Sequence, residues 1–214
     1  WKDRYPFHKN NGSKLNFGYS TSTVWLQLAV KNIGKMPLDY ILEISNPDLD
    51  HISFYATRDD SVLRTVQTGE LTDVRSREIA HRNFLFHVSV EPGQHYTYYL
   101  SVMNTGHSCS IPIALREKAE FEKDDNKSEV FNWLIYGLLI FVVVFNVYLY
   151  YALREKINLY YSLSLFFAII FIFHYEGYLY FLNPPVIVEK IKWISPCLYS
   201  VFLLLFTQAF VSDR

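Results

Sequence analysis

Apolar and polar positions alternate with a period of two through the first half of this chain, then give way to long charge-free runs. Val24, Leu26, Leu28 and Val30 fall on one phase, as do Phe84, Phe86, Val88 and Val90. Tyr96, Tyr98, Leu100 and Val102 alternate with His95, Thr97, Tyr99 and Ser101, and Ile111, Ile113 and Leu115 close the series. Alternation of this kind places one face of a strand against a core. Turn-forming clusters separate the runs: Asn32-Ile33-Gly34, Asn46-Pro47-Asp48, Arg58-Asp59-Asp60-Ser61, Thr68-Gly69, Glu91-Pro92-Gly93 and Asn104-Thr105-Gly106. Short strands at roughly 8–12 residue spacing predict an all-β sandwich, jelly roll or barrel.

The second half changes period. No charge interrupts Trp133 to Leu153, and similar runs follow from Ile157 to Phe173 and from Trp193 to Val211. A hydrocarbon core of about 30 Å needs about 20 apolar residues at 1.5 Å each. Three membrane helices are expected, at about 131–153, 157–182 and 193–212. Trp133, Tyr136, Tyr148, Tyr150, Tyr151 and Trp193 stand where interfacial aromatics belong. Asn183-Pro184-Pro185 is expected to end the second helix, and Ser195-Pro196 to open the third as cap and first turn.

Composition sharpens the division. Residues 1–127 hold 15 of the 20 basic and 16 of the 21 acidic residues, so they form the water-exposed part. The expected units are a β-domain over 1–117, a solvated connector over 118–129 and a membrane region over 130–214. Ser128 or Asp125 would cap the first helix. Near-neutral charge argues against nucleic acid as a partner. The two cysteines, Cys109 and Cys197, fall in different units and leave no intradomain disulfide, which favours a bacterial envelope over a secreted eukaryotic ectodomain. A first residue of Trp1 reads as a piece of a longer protein.

Candidate chemistry is sparse. The histidines lack zinc-ligand spacing, no glycine-rich phosphate loop precedes a helix, and no nucleophile elbow is present. Neither a metal, another cofactor nor catalysis is expected within these residues. The candidate ligand contacts are Trp25, Tyr55, Arg77, His81 and Arg82: an aromatic stacks on a sugar face, and a guanidinium offers a donor fork. The competing structural reading makes Trp25 core and pairs the arginines with Glu70, Asp73 or Glu78. Asn146, His174, Glu176 and Gln208 are polar groups on the spans, with Asn146 expected to bond between helices. Arg154 and Lys156 in one turn balance Lys190 and Lys192 in the next, so charge alone leaves orientation open.

From Trp133 onward the chain resembles the bacterial seven-transmembrane receptors with diverse intracellular signalling modules. The resemblance rests on Trp133, Gly137, Asn146-Val147-Tyr148-Leu149-Tyr150-Tyr151, Arg154 and Tyr160-Tyr161. Gly177, Phe181-Leu182-Asn183-Pro184, Leu205-Phe206, Phe210 and Arg214 continue it. The first half is similar to that family's second type of extracellular sensing domain. The matching residues include Val24-Trp25-Leu26, Asn32, Leu42-Glu43-Ile44, Asn46-Pro47, Leu49-Asp50, Tyr55 and Thr68-Gly69-Glu70, then Arg77, Arg82 and Pro92-Gly93.

The resemblance implies a jelly-roll sensor outside the bacterial cytoplasmic membrane, periplasmic or extracellular, that takes carbohydrate or another small ligand. It implies seven helices, three of them here, and a cytoplasmic output module in the same chain, a kinase, cyclase, phosphatase or DNA-binding type. The expected partners are therefore a small-molecule or carbohydrate ligand, the lipid bilayer, that output module and, as a homodimer, a second copy. The rival reading is an anchored carbohydrate-binding or structural envelope module that passes no signal; one anchoring helix would suffice for it. A eukaryotic heptahelical receptor fits less well, because the second helix lacks an intramembrane aspartate.

Overall fold

The computed structural model describes residues 7–9, 14–59, 61–105, 108–182 and 184–212. Asp60, Gly106, Asn183 and Arg214, which figure in the sequence motifs, lie outside the described residues. The chain divides into two compact units, Trp1–Phe121 and Glu122–Arg214.

The first unit is a sandwich of eight described strands: β1 (Lys14–Tyr19), β2 (Val24–Lys31), β3 (Leu38–Ile44), β4 (His51–Arg58), β5 (Ser61–Thr68), β6 (Phe84–Val90), β7 (His95–Met103) and β8 (Ser108–Glu117). They form two antiparallel four-stranded sheets, ordered β1-β8-β3-β6 and β2-β7-β4-β5. The chain changes sheet at every connection except the β4–β5 hairpin. Inward phases of the strands meet in one core around Phe54, Phe86, Leu42, Ile44, Val88, Leu100 and Ile111. Phe54 stacks on Phe86 at 4.7 Å and on Tyr98 at 5.6 Å, joining the sheets at their centre.

Two sequence features have a definite structural use. Pro112 stands inside β8, where a missing N–H should break a ladder. Residues up to Pro112 pair with β1, and Ile113 onward pairs with β3, so the proline sits where the strand exchanges partners. Gly69 ends β5 with a Cβ position only 2.0 Å from the Asp50 carbonyl oxygen. Only glycine lets the chain pass there and form the Glu70 N–H to Leu49 carbonyl bond of 2.7 Å.

The second unit is helical. Helix α1 runs Lys118–Leu153, α2 Lys156–Tyr175, the short α3 Leu179–Leu182 and α4 Pro185–Ser212. Three of these are long and apolar enough to cross a membrane. Their bounds correct the sequence reading in three places. The expected connector at 118–129 is the first part of α1 itself, so neither Ser128 nor Asp125 caps a helix start. No glycine or proline occurs from Lys118 to Tyr136, and Glu120/Lys123 and Asp124/Lys127 form helix-favouring charge pairs three residues apart. The second helix stops at Tyr175, because Gly177 at φ 82 turns the chain before α3. The third begins at Pro185, not Trp193: proline takes the first helical position there. Pro196 lies inside α4 instead of opening it. Such a proline is tolerated in a span when neighbouring groups re-satisfy the freed carbonyl.

Candidate ligand-binding site

The two sheets present very different outer faces. On β2 the alternation turns Leu26 and Leu28 inward and Trp25, Gln27 and Ala29 outward. Register then aligns Trp25 with Ser101 of β7 and Ser53 of β4, and Gln27 with Tyr99 and Tyr55. The small serines leave room for the Trp25 and Tyr55 rings to lean together across β7, near-parallel at 19° with centroids 6.0 Å apart. Trp25 remains 37 % exposed and Tyr55 half-buried. Gln27 Nε2 donates to the Tyr99 hydroxyl at 3.3 Å, and Phe7 lies against Tyr99 at 6.1 Å. Aromatic rings flanked by amide and hydroxyl groups suit a ligand with an apolar face and a polar edge.

Beside that face the sandwich opens. A groove of about 590 Å³ lies between edge strand β2 and strands β1 and β8. Leu26 and Leu28 of β2, Leu15 of β1, and Ile113 and Leu115 of β8 form its walls, with Leu42 and Leu100 behind. Trp25 and Gln27 lie on its rim, as do Phe7, His8 and Lys9. The opposite edge of the sandwich is closed. There Arg64 of β5 donates to Glu78 at 2.8 Å and to the His87 carbonyl of β6 at 2.6 Å, with its guanidinium 5.3 Å from the Phe54 ring.

Arg77, His81 and Arg82 belong to another part of the domain. They lie in the β5–β6 connection, which covers the outer face of the β1-β8-β3-β6 sheet. Arg77 is buried, donates to the His81 and Arg82 carbonyls at 2.6 and 2.9 Å, and lies 4.6 Å over Phe84. His81 is buried, packs its ring 5.7 Å from Phe121 and accepts the Asn83 N–H at 3.0 Å. The structure thus brings Trp25 and Tyr55 together and holds Arg77 and His81 within a structural cover. Of the acids expected to pair with Arg77 or Arg82, Glu78 binds Arg64 and Asp73 binds Arg75 among the described ion pairs. Hydrogen bonds from Arg75 hold the Asp73 carboxyl at about 2.

Sequence reasoning missed Gln27 and Tyr99. The available signal was Tyr99 itself: an aromatic on the polar phase of β7, between Thr97 and Ser101.

Within the membrane unit, Asn146 donates to the Val142 carbonyl of its own helix at 2.8 Å, not between helices as expected. An interhelical bond comes instead from Ser162 of α2, whose hydroxyl donates to the Val143 carbonyl of α1 at 3.2 Å. His174 is buried beside Tyr180. Trp133, Tyr136, Phe173 and Tyr178 form one aromatic cluster joining α1 to the end of α2.

A β-sandwich unit followed by membrane-length helices is the architecture of a membrane receptor with an outside sensing domain. Family comparison agrees in both halves. Residues 2–117 match the 7TMR-DISM extracellular 2 domain, and residues 128–214 match the 7TM diverse intracellular signalling domain. The chain belongs to the 7TMR-DISM family, as a membrane protein whose N-terminal domain lies outside. No curated protein matches it.

Proposed function

We propose that this chain is the sensing and first-span part of a signalling receptor of a bacterial cytoplasmic membrane. The β-domain takes a small ligand, a carbohydrate or a similar polyol, on the face carrying Trp25 and Tyr55. The single observation that carries this reading is the near-parallel ring pair at 6.0 Å, left part-exposed on a sheet whose partner sheet is covered. The strand orders β1-β8-β3-β6 and β2-β7-β4-β5 support the jelly-roll reading of the sandwich. Binding is then converted into a shift among the helices and read by an output module in the same chain. Catalysis resides in that module.

Helix α1 supports the signalling reading over a passive anchor. It leaves β8 without a linker, and its Phe121 is buried in the β-domain against Ile41 and Leu85. A ligand drives such a change only through different affinity for two arrangements. Trp25→Ala and Tyr55→Ala in the full-length receptor should each abolish the response in a glycan-array and reporter assay, while lowering the unfolding temperature by only about 3–5 °C. An intact response in both variants would remove this face as the sensing site. A Gly/Ser insertion after Phe121 should leave binding intact and silence the output; retained output would favour the anchored binding module.

A further inference from the structure

We infer that the groove beside Trp25 receives an alkyl or acyl chain of the ligand, so that the sensed molecule is an amphiphile. This deepens the sensing reading and rests on it for the polar head, which lies on the Trp25–Tyr55 pair.

Edge strand β2 carries the argument. Its outward phase offers Trp25 and Gln27 to the sheet face, while its inward phase offers Leu26 and Leu28 to the groove. A polar-and-aromatic surface and an apolar slot therefore meet along one strand, only one residue apart in sequence. The volume of about 590 Å³ falls within the range of small-molecule sites. The walls are mostly aliphatic: Leu15, Leu26, Leu28, Ile113 and Leu115 provide no hydrogen-bonding side chain, and the Tyr98 hydroxyl already donates to the Ser89 carbonyl. A free sugar would leave its hydroxyls unpaired against them. A hydrocarbon chain meets no such penalty. The polar groups lie at the rim, at Gln27, His8 and Lys9, where a head group would emerge.

The unequal edges of the sandwich point the same way. On the β5–β6 side Arg64 bridges the sheets through Glu78 and the His87 carbonyl. On the β2 side Leu26 and Leu28 stay only half-buried and Leu115 is 38 % exposed. Apolar core residues are thus left accessible on the edge that adjoins the aromatic pair.

The test uses the full-length receptor in lipid nanodiscs with an alkyl glucoside carrying a diazirine in its chain. After photolysis, the labelled peptides are mapped by mass spectrometry. Label is expected on the β2 and β8 peptides containing Leu28 and Ile113. Leu28→Trp and Leu115→Trp, which fill the slot from opposite walls, should each lower that label about tenfold, what excluding about two methylenes from an apolar site costs. Leu115 is the more exposed wall position, so its variant keeps the test valid if Leu28→Trp fails to fold; unfolding temperature reports this. Label confined to α1, α2 and α4 would overturn the inference, since the chain would then only partition into bilayer. So would β-domain label unchanged in both filled variants. Exclusion of the probe from wild-type protein, with the slot held by a second copy or by the chain's own preceding segment, would overturn it too. A glucan that alters Trp25 fluorescence while no label enters the groove would overturn the tail site and leave the sugar reading standing. Equal groove labelling by a diazirine-bearing fatty alcohol would support the tail site and remove the sugar head.

Discussion

The two outer faces of the sandwich are made by the same rule and put to opposite uses. On the β1-β8-β3-β6 sheet the outward residues Ile41 and Leu85 are apolar and covered, with Ile79 and Phe121 packed over them. Buried Glu43 beside them binds Arg116 and accepts the Asn83 amide at 2.7 Å, and Arg116 lies 5.2 Å over Phe121. On the β2-β7-β4-β5 sheet the outward residues are Trp25, Gln27, Ser53, Tyr55 and Ser101, and Trp25 stays exposed. An outward apolar residue needs a cover, and here the cover holds the start of a helix. Outward aromatics flanked by serines leave a surface that a ligand can use. The covered face is where stability is held; the other is where recognition can be changed at little structural cost.

That contrast breaks first at Phe121. Phe121→Ala removes the central ring of the cover, and buried Phe→Ala changes cost about 3–5 kcal/mol. A loss of about 3 kcal/mol is expected in thermal unfolding of the β-domain, with faster amide exchange in the β5–β6 connection. A loss below about 1 kcal/mol would mean that the cover is not a second core.

A smaller effect is expected at Glu43. Glu43→Ala strands the Asn83 amide and removes one acceptor from the Arg116 guanidinium. Arg116 is about a third exposed, so water recovers part of the loss. Destabilisation of about 1–2 kcal/mol follows from one unsatisfied buried group. Asn83→Ala in the same background should add little if the three residues act as one network, which a double-mutant cycle reads directly.

Smaller still is the stability change at Trp25. Trp25→Ala should cost about 1 kcal/mol, the scale of one aromatic pair, while the ligand response is lost. A loss comparable with that of Phe121→Ala would erase the distinction between the faces.

How much of this could be read from sequence follows the same division. The inward phases of β2, β6, β7 and β8 were legible because a period of two has one physical meaning, and Trp25 and Tyr55 stood out as aromatics able to stack on a sugar face. Register was not legible: only the pairing of Trp25 with Ser101 and Ser53 shows that the rings can meet over small side chains. Arg77 and His81 illustrate the converse. Their chemistry suits a ligand, yet they lie in a segment that packs on Phe84 of β6 and on distant Phe121. The membrane spans were legible from length and charge, but α1's start was not. Its first turns have no apolar stripe, and helical continuity through Lys118–Tyr136 depends on the absence of breakers more than on any pattern.

Tyr98 gives the smallest effect and a probe of the groove itself. Its ring lines the groove, and its hydroxyl donates to the Ser89 carbonyl at 3.1 Å. Burial pushes this phenol up to about 12, against an ordinary value of 10.0, with Arg64 opposing and Tyr96 adding to the rise. The sign is fixed by linkage. Below pH 10 the hydroxyl is neutral in folded and unfolded chains alike, and its contribution is intact. Between 10 and 12 the unfolded chain loses this proton while the folded one keeps it, so stability falls with pH. Tyr98→Phe should therefore remove a late-ionising step from the ultraviolet titration and flatten the alkaline stability slope. If an alkyl chain enters the groove, it replaces water near the buried ring with hydrocarbon. The late step should then move higher in the presence of an alkyl glucoside and stay in place with glucose. A late step that is insensitive to both would mean that the slot beside Tyr98 is not filled.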